Sequence, residues 1–288
     1  MFDDIAKKTR YMVYTKKYDV ECGIGDLVSA ETIGRLATHH DFYGYEDTEA
    51  VEAAIAPISK LDTGDNLLVT FLVDMSGSVK GRPVNAVCQA VLAGALALED
   101  LGATTSVLGY TTGKKNRPAD EFNADKSIRY PGRLSEAVFV TAKPFGRSAA
   151  ESVGQILALG TEGLNYENLD GEALVWAAEK MLERQAAQRI LVLVTDGFEP
   201  HCAKSEQFAE RRDFMVDHLR AVAERLGESE LIDFTPVVMQ TEYFFGKQTT
   251  YRNPVQADPT AEDITRAIVE ALGQNLRPKA SPEPALQM

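Results

Sequence analysis

The chain has 288 residues, a hydrophobic content of 44% and a formal net charge of −13. This length and composition are typical of a globular protein with one large domain or two small ones. The acidic balance argues against nucleic acid and anionic membranes as partners. No apolar run reaches the roughly 18 residues that a transmembrane helix needs, and the acidic N-terminus lacks the features of a signal peptide.

The three cysteines, Cys22, Cys88 and Cys202, are an odd number at unrelated spacings. That usage is typical of a reducing compartment in which thiols stay buried or incidental. We therefore expect a cytoplasmic protein.

The hydrophobic pattern predicts an N-terminal arm or subdomain (1–62), one large domain (63–276) and a disordered tail (277–288). In the arm, the pattern predicts a strand at 11–15 and helices at 26–38 and 47–58. In the large domain it predicts strands at 67–73, 104–110, 188–194 and 231–240, helices at 82–101, 148–159, 170–184, 205–226 and 260–276, and a surface loop at 114–126. Strands that alternate with helices of this length predict an α/β fold with a mostly parallel, doubly wound sheet.

Several local signals refine this plan. Gly102 is placed to end the helix before it, and Thr260 with Asp263 resembles a capping box at the start of the last helix. Pro236 lies within the last strand, which predicts an edge position or a bulge there. The aromatic segment at 243–245 is interpreted either as folded back onto the sheet or as a contact surface.

The most informative segment is the apolar strand that ends in Asp74-x-Ser76-x-Ser78. One carboxylate and two hydroxyls follow one another at alternate positions where the strand stops, and Gly77 permits a tight turn between the serines. Hard oxygen donors of this kind suit Mg²⁺, with Mn²⁺ and Ca²⁺ as alternatives. The short string alone is weak evidence, since Asp, Ser and Gly are ordinary loop residues.

Two further segments support a site at this point. A second apolar strand ends at Asp196, and parallel strands would bring Asp74 and Asp196 to the same carboxyl edge of the sheet, where open α/β sheets bind ligands. Between the two strands, Asn168 and Asp170 stand where a helix begins. Either of these two residues is a candidate metal ligand, and helix capping is the alternative role for both.

These three segments resemble the metal-ion-dependent adhesion site (MIDAS) of von Willebrand factor A (VWA) domains. The motif from Asp74 to Pro83 and the segments 108–112, 130–134, 167–177 and 188–191 are similar to the VWA domain of the cobaltochelatase T subunit (CobT) family. The element from Asn168 to Leu174 is the distinctive one, and Asn168 falls where most VWA domains place a Thr ligand. The segment 11–19 is similar to the opening of the conserved part of that family.

The resemblance implies that Asp74, Ser76, Ser78 and Asp196 hold Mg²⁺, with Asn168 or Asp170 completing the ligand set. It also implies a partner, a ring-forming AAA+ ATPase of the MoxR type such as the cobaltochelatase S subunit, together with a chelatase large subunit. An adaptor that remodels a target unrelated to cobalamin, and a structural protein with a vestigial MIDAS, remain alternatives.

Catalytic motifs are missing from the sequence. It contains no P-loop and no Gly-x-Ser-x-Gly elbow, and Ser76 stands where a haloacid-dehalogenase-type enzyme needs a second Asp. His201 and Cys202 lack the CxxC or His-x₃-His partners of a zinc site. We therefore expect a non-catalytic subunit of a larger enzyme complex.

Overall fold

The structure is a computed structural model, and it describes residues 1–38, 48–125, 128–208, 213–240 and 249–278. The strands in these ranges are β1 (Val20–Gly23), β2 (Leu61–Asp62), β3 (Leu67–Asp74), β4 (Thr104–Thr112), β5 (Ala137–Lys143), β6 (Gln188–Thr195), β7 (Asp233–Met239), β8 (Val255–Ala257) and β9 (Arg277–Pro278). The α-helices are α1 (Ile5–Thr9), α2 (Ala30–Thr38), α3 (Thr48–Ile55), α4 (Arg82–Asp100), α5 (Arg117–Ala124), α6 (Val153–Leu157), α7 (Asp170–Leu182), α8 (Ala203–Glu206), α9 (Phe214–Gly227) and α10 (Ala261–Asn275).

The centre of the molecule is a seven-stranded sheet with the order β1-β5-β4-β3-β6-β7-β8. Strand β5 runs antiparallel to β4, and all other neighbouring strands in this sheet run parallel. Because β3 lies between β4 and β6, the carboxyl ends of these three parallel strands meet at one edge. The predicted α/β fold with a mostly parallel sheet is confirmed.

The two faces of the sheet form two separate cores. On β3, Val69, Phe71 and Val73 join the cluster that includes residues of α3, α4 and α10, whereas Leu72 joins the cluster that includes residues of α7 and α9. Alternate side chains of a strand point to opposite faces, which explains why a continuous apolar run is needed when helices cover both faces. None of the helices in the described ranges is long and apolar enough to span a lipid bilayer.

The local signals have clear structural outcomes. Gly102 has a φ of 89°, its N–H bonds Glu99 O, and α4 ends there as predicted. Thr260 accepts a hydrogen bond from the backbone N–H of Asp263 and begins α10. Strand β7 is not an edge strand of the sheet, because β8 pairs with it, and its pairing with β6 shows no bulge at Pro236. Strand β8 pairs with β7 only from Val237 onward, so Pro236 lies just before that pairing begins.

Some predicted elements were wrong. The predicted loop at 114–126 contains α5, which buries Ala119 and Phe122 against Leu134. The predicted strand at 11–15 is reduced to a single bridge between Val13 and Arg133. The predicted helix at 205–226 consists of α8 and α9, with residues 209–212 outside the described ranges. The aromatic segment at 243–245 also lies outside them.

The arm contributes directly to the main sheet, because β1 pairs with β5 and forms one of its edges. At the other end of the chain, β9 pairs antiparallel with β2. Residues 277 and 278, which the composition assigned to a disordered tail, therefore form a short strand, and residues 279–288 lie outside the described ranges.

Candidate metal centre

The predicted motif lies at the carboxyl edge of the sheet, where β3 ends. Asp74 is the last residue of β3 and is 1% exposed. Its Oδ1 accepts a hydrogen bond from the Ser76 backbone N–H at 2.7 Å, so the carboxylate itself shapes the turn that follows. The hydroxyls of Ser76 and Ser78 are 3.1 Å apart, and Ser78 is partly exposed. The two hydroxyls thus form a pair that is open to solvent on one side.

Gly77, between the two serines, contacts the loop that precedes α7. Its N–H bonds Tyr166 O, and a Cβ atom at this position would lie 3.2 Å from the same oxygen. Asn165 holds the turn from the other side, because its Nδ2 donates to Met75 O at 3.2 Å. The glycine is therefore needed for the close approach of two loops.

Asp196 follows β6 and lies beside the first motif. Strand register pairs Val73 with Val194, so Asp74 lies level with Thr195, one residue before Asp196. The two aspartates therefore emerge at the same edge, as predicted. Thr195 connects the two strands, because its hydroxyl donates to Asp74 Oδ2 at 2.8 Å. Asp196 is fully buried, and its Oδ1 accepts the Phe198 N–H at 3.1 Å.

Asn168 is 3% exposed, and both ends of its amide bond the loop after β6. Its Nδ2 donates to Phe198 O at 3.1 Å, and its Oδ1 accepts the His201 N–H at 2.9 Å. The side chain therefore ties the segment before α7 to the loop that carries Asp196.

Asp170 is the first residue of α7 and is fully buried. Its Oδ1 accepts the hydroxyl of Tyr110 at 2.7 Å, and its Oδ2 accepts the hydroxyl of Tyr251 at 2.6 Å. The residue before the helix is Leu169, which makes no side-chain capping bond. The carboxylate of Asp170 therefore accepts two tyrosine hydroxyls and does not act as a simple helix cap.

Burial and mutual repulsion dominate the electrostatics of this edge. Burial, then the neighbouring Asp170 and Asp196, raise the pKa of Asp74 well above its usual value. Burial raises the pKa of Asp170 to about 6, although the two tyrosine hydroxyls favour its ionised form. Buried carboxylates of this kind are stabilised by a cation placed among them.

The donor set fits a hard dication with water in its coordination sphere. In the described ranges, no three His, Cys, Asp or Glu side chains form a cluster that could hold a metal ion. A metal at Asp74 would therefore depend on the hydroxyls of Ser76 and Ser78 and on water, which is the oxygen-rich, partly hydrated environment that Mg²⁺ prefers.

Residues that sequence reasoning missed contribute to the same edge. Thr195, Tyr110 and Tyr251 bond the two carboxylates directly. The sequence position of Thr195, a polar residue at the end of an apolar strand, could have indicated its role in the site. No sequence feature around Tyr251 indicates such a role. Near the same edge, His201 Nδ1 lies 2.7 Å from Glu206 Oε1, and Cys202 is buried.

Comparison with known proteins assigns the family. A family profile described as "Cobalamin biosynthesis protein CobT VWA domain" matches residues 59–277, which is most of the chain. This chain belongs to the CobT VWA-domain family. The resemblance drawn from the sequence motifs and the VWA fold are both confirmed.

Solved structures with a similar fold are distant in sequence. The vWF domain of the type V pili tip protein Mfa5 from Porphyromonas gingivalis is 9% identical, with a TM-score of 0.43, over 75% of this chain and 98% of that one. The PilB minor pilin from Streptococcus sanguinis is 14% identical, with a TM-score of 0.43, over 74% of this chain and 62% of that one. Manganese-loaded TRAP protein from Plasmodium vivax is 14% identical, with a TM-score of 0.41, over 73% of each chain. This chain spans only 20% of a three-domain Mfa5 fragment.

Proposed function

We propose that this CobT-like VWA protein is a non-catalytic subunit of a cobaltochelatase-type complex. In this proposal it binds Mg²⁺ at Asp74, Ser76, Ser78 and Asp196 and engages a AAA+ ATPase of the MoxR type. The observation that carries the proposal is the pair of serine hydroxyls, 3.1 Å apart, directly after a buried carboxylate at the edge of the sheet.

The chain's own residues prepare this edge for a cation. The Ser76 N–H and the Thr195 hydroxyl fix both oxygens of Asp74, and Asn168 fixes the loop of Asp196. Such hydrogen bonds to ligand residues are typical of metal sites, because they orient the ligands before the ion arrives. Bound Mg²⁺ would offer an open coordination position to a carboxylate of the partner protein.

Asn168 and Asp170 support the site in this proposal chiefly by holding its loops. Asp170 lies close enough for its charge to raise the pKa of Asp74, and it is anchored by Tyr110 and Tyr251. Its charge adds to the attraction for a dication, while its hydrogen bonds keep it in place.

The acidic net charge of −13 supports a metal-dependent contact. An acidic partner surface would be repelled by this chain, and a dication at the contact reverses the local sign of the field. The ATPase would supply the energy of ATP hydrolysis, and a chelatase large subunit would hold the macrocycle into which Co²⁺ is inserted.

The test is capture of a purified MoxR-type ATPase ring by the immobilised chain, measured by biolayer interferometry. We expect binding in Mg²⁺, loss of binding in EDTA, and loss of binding with Ser76→Ala in Mg²⁺. Ser229→Ala is the matched control, because Ser229 lies in the loop before β7, at the opposite edge of the sheet.

Capture that is indifferent to EDTA and to Ser76→Ala would contradict the metal-dependent mechanism. Metal-dependent capture without Co²⁺ insertion, when the large subunit and macrocycle are added, would instead favour an adaptor for a target unrelated to cobalamin.

A further inference from the structure

The segment at 130–134, which the proposed function leaves without a role, binds the N-terminal arm. The Arg133 N–H donates to Met12 O at 2.8 Å, and the Tyr14 N–H donates to Arg133 O at 3.2 Å. Gly132 has a φ of 76°, and a Cβ atom there would lie 2.1 Å from Met12 O. The arm can approach this closely only because residue 132 is a glycine.

Arg133 is fully buried, and its guanidinium uses all five of its N–H groups. Its Nη1 and Nη2 form a bidentate pair with Asp19, at 3.0 and 2.6 Å. Its Nε and Nη2 form a second pair with Glu172, at 2.5 and 3.2 Å. The remaining Nη1–H bonds Ser135 O. This planar fork of donors joins three parts of the chain at fixed angles.

Glu172 brings this cluster to the candidate metal centre. It lies in the first turn of α7, two residues after Asp170, and Tyr11 of the arm also donates its hydroxyl to Glu172. The turn is packed tightly on its other side, because a Cβ atom on Gly171 would lie 2.5 Å from His218 Nδ1. Tyr11 stacks on the same histidine, with ring centroids 4.0 Å apart.

We propose that Arg133, through its ion pair with Glu172, is a positioning residue for the metal centre, and that the N-terminal arm thereby sets the Mg²⁺ affinity. The inference rests on the proposed function and extends it to the regulation of the same site. A shift of the first turn of α7 moves Asp170 and, two residues earlier, Asn168. Asn168 holds the loop of Asp196, so the ligand edge changes shape with the arm.

The chain contains a matched control. Lys143 is also fully buried and pairs with Glu99 at 2.7 Å. It lies near Thr105 at the start of β4, at the edge of the sheet opposite the metal centre. Glu172→Gln and Glu99→Gln each remove one carboxylate from a buried cation without changing the size of the side chain.

The experiment measures Mg²⁺ affinity by calorimetry in both variants, well below their unfolding temperatures, together with the EPR spectrum of bound Mn²⁺. We expect Glu172→Gln to weaken Mg²⁺ binding about tenfold, since residues that orient metal ligands typically contribute 10- to 100-fold, and to broaden the Mn²⁺ spectrum. Glu99→Gln should lower the unfolding temperature and leave the affinity and the spectrum unchanged.

Tyr11→Phe provides a second, milder variant that keeps the ring stack and removes the hydroxyl. It should weaken binding about two- to threefold by the same route, even if Glu172→Gln does not fold. Unchanged affinity in the folded variants, or an equal loss in Glu99→Gln, would overturn the inference alone. Failure of the unmodified chain to bind Mg²⁺ would overturn the proposed function and this inference with it.

Discussion

Two groups of carboxylates lie close together in this fold. Asp19 and Glu172 have side chains that are 15% and 12% exposed, whereas Asp74 and Asp170 are buried. The two groups are compensated differently. Asp19 and Glu172 surround Arg133, and this cation satisfies both with bidentate ion pairs. Asp74 and Asp170 instead receive hydrogen bonds from Ser76, Thr195, Tyr110 and Tyr251, which are uncharged groups. The pKa of each of these two aspartates is raised, with burial as the main cause.

The difference indicates two roles. Where the chain supplies its own cation, the carboxylates lock the arm to α7 and need nothing further. Where the chain supplies only dipoles, hydroxyls and amides offset the charge of the ionised carboxylates only in part, and a cation from solution would stabilise the ionised form. The second group is therefore the one that we propose to bind Mg²⁺.

The largest expected effect comes from removing the internal cation. Arg133→Met leaves Asp19 and Glu172, whose side chains are 15% and 12% exposed, without a positive charge. Breaking a buried pair typically costs about 3–5 kcal/mol, and this partial exposure places the expected loss at the lower end of that range, about 3 kcal/mol. We expect the free energy of unfolding, measured by urea titration at pH 7, to fall by about that amount.

A triple variant sharpens this test. Adding Asp19→Asn and Glu172→Gln to Arg133→Met removes the stranded charges, so the stability should recover in large part, because residues in one network are not additive. If Arg133→Met unfolds no more easily than the unmodified protein, the ion pairs do not lock the arm.

The next prediction removes the charge at the other group. Asp74→Asn keeps the shape and one acceptor oxygen, and we expect it to weaken Mg²⁺ binding about 100-fold, or about 2.7 kcal/mol. The metal-free protein should become slightly more stable, since burial and the neighbouring Asp170 and Asp196 raise the pKa of Asp74 and make its ionised form costly. Calorimetry and thermal unfolding measure the two effects.

Asp62→Asn is the control for this change, because Asp62 is exposed and lies in β2. Strand β2 belongs to the separate two-stranded sheet with β9, not to the seven-stranded sheet whose carboxyl edge carries Asp74. This substitution should alter neither quantity. Unchanged Mg²⁺ affinity in Asp74→Asn would show that the group compensated by dipoles is not a metal site.

The elements that carry the two groups differ in how well the sequence predicts them. Strands β3 and β6 were predicted because they are buried on both faces and so are apolar throughout, and the motif at their ends follows directly from that placement. The hydrogen-bonding partners of Asp170 come from distant segments, 60 residues away for Tyr110 and 81 for Tyr251. No local pattern predicts contacts of that range.

Arg133 and α5 illustrate two other limits. An arginine is mostly exposed in proteins, so burial of Arg133 follows only from the two carboxylates that tertiary structure brings to it. Helix α5 has a polar, turn-rich sequence, and its small apolar face, Ala119 and Phe122, is stabilised by packing on Leu134 rather than by its own propensity.

A pH-dependent prediction concerns His218, which stacks on Tyr11 beside Glu172, one of the two carboxylates paired with Arg133. Burial lowers the pKa of His218 from 6.5 to about 4, while Glu172 on α7 acts in the opposite direction. Between pH 6.5 and 4, the unfolded chain therefore binds a proton at His218 that the folded chain does not bind. The neutral, buried His218 thus contributes its full stability above pH 6.5, and this contribution is lost as the pH falls toward 4. We expect a loss of about 2 kcal/mol across this window.

His218→Phe keeps an aromatic ring against Tyr11 and removes the titration, so its urea midpoint should vary less between pH 6.5 and 4 than that of the unmodified protein. An identical pH profile in the two proteins would assign the acid sensitivity to other groups.

The smallest expected change in the free energy of unfolding comes from removing a single hydroxyl that bonds Asp170. Tyr251→Phe removes the donor to Asp170 Oδ2, and a hydrogen bond to a charged, buried group contributes about 1.5 kcal/mol or somewhat more. Tyr110→Phe removes the matching donor to Oδ1 and should behave alike. Tyr166→Phe is the control, because the Tyr166 hydroxyl bonds Gly163 O in an exposed loop. Mg²⁺ distinguishes the two groups. If a cation compensates Asp74 and Asp170, saturating Mg²⁺ should reduce the destabilisation caused by Tyr251→Phe. It should not reduce the destabilisation caused by Arg133→Met, which should instead grow by about 1.4 kcal/mol if that variant binds Mg²⁺ about tenfold more weakly. Equal losses in Tyr251→Phe with and without Mg²⁺ would contradict the division between the two groups.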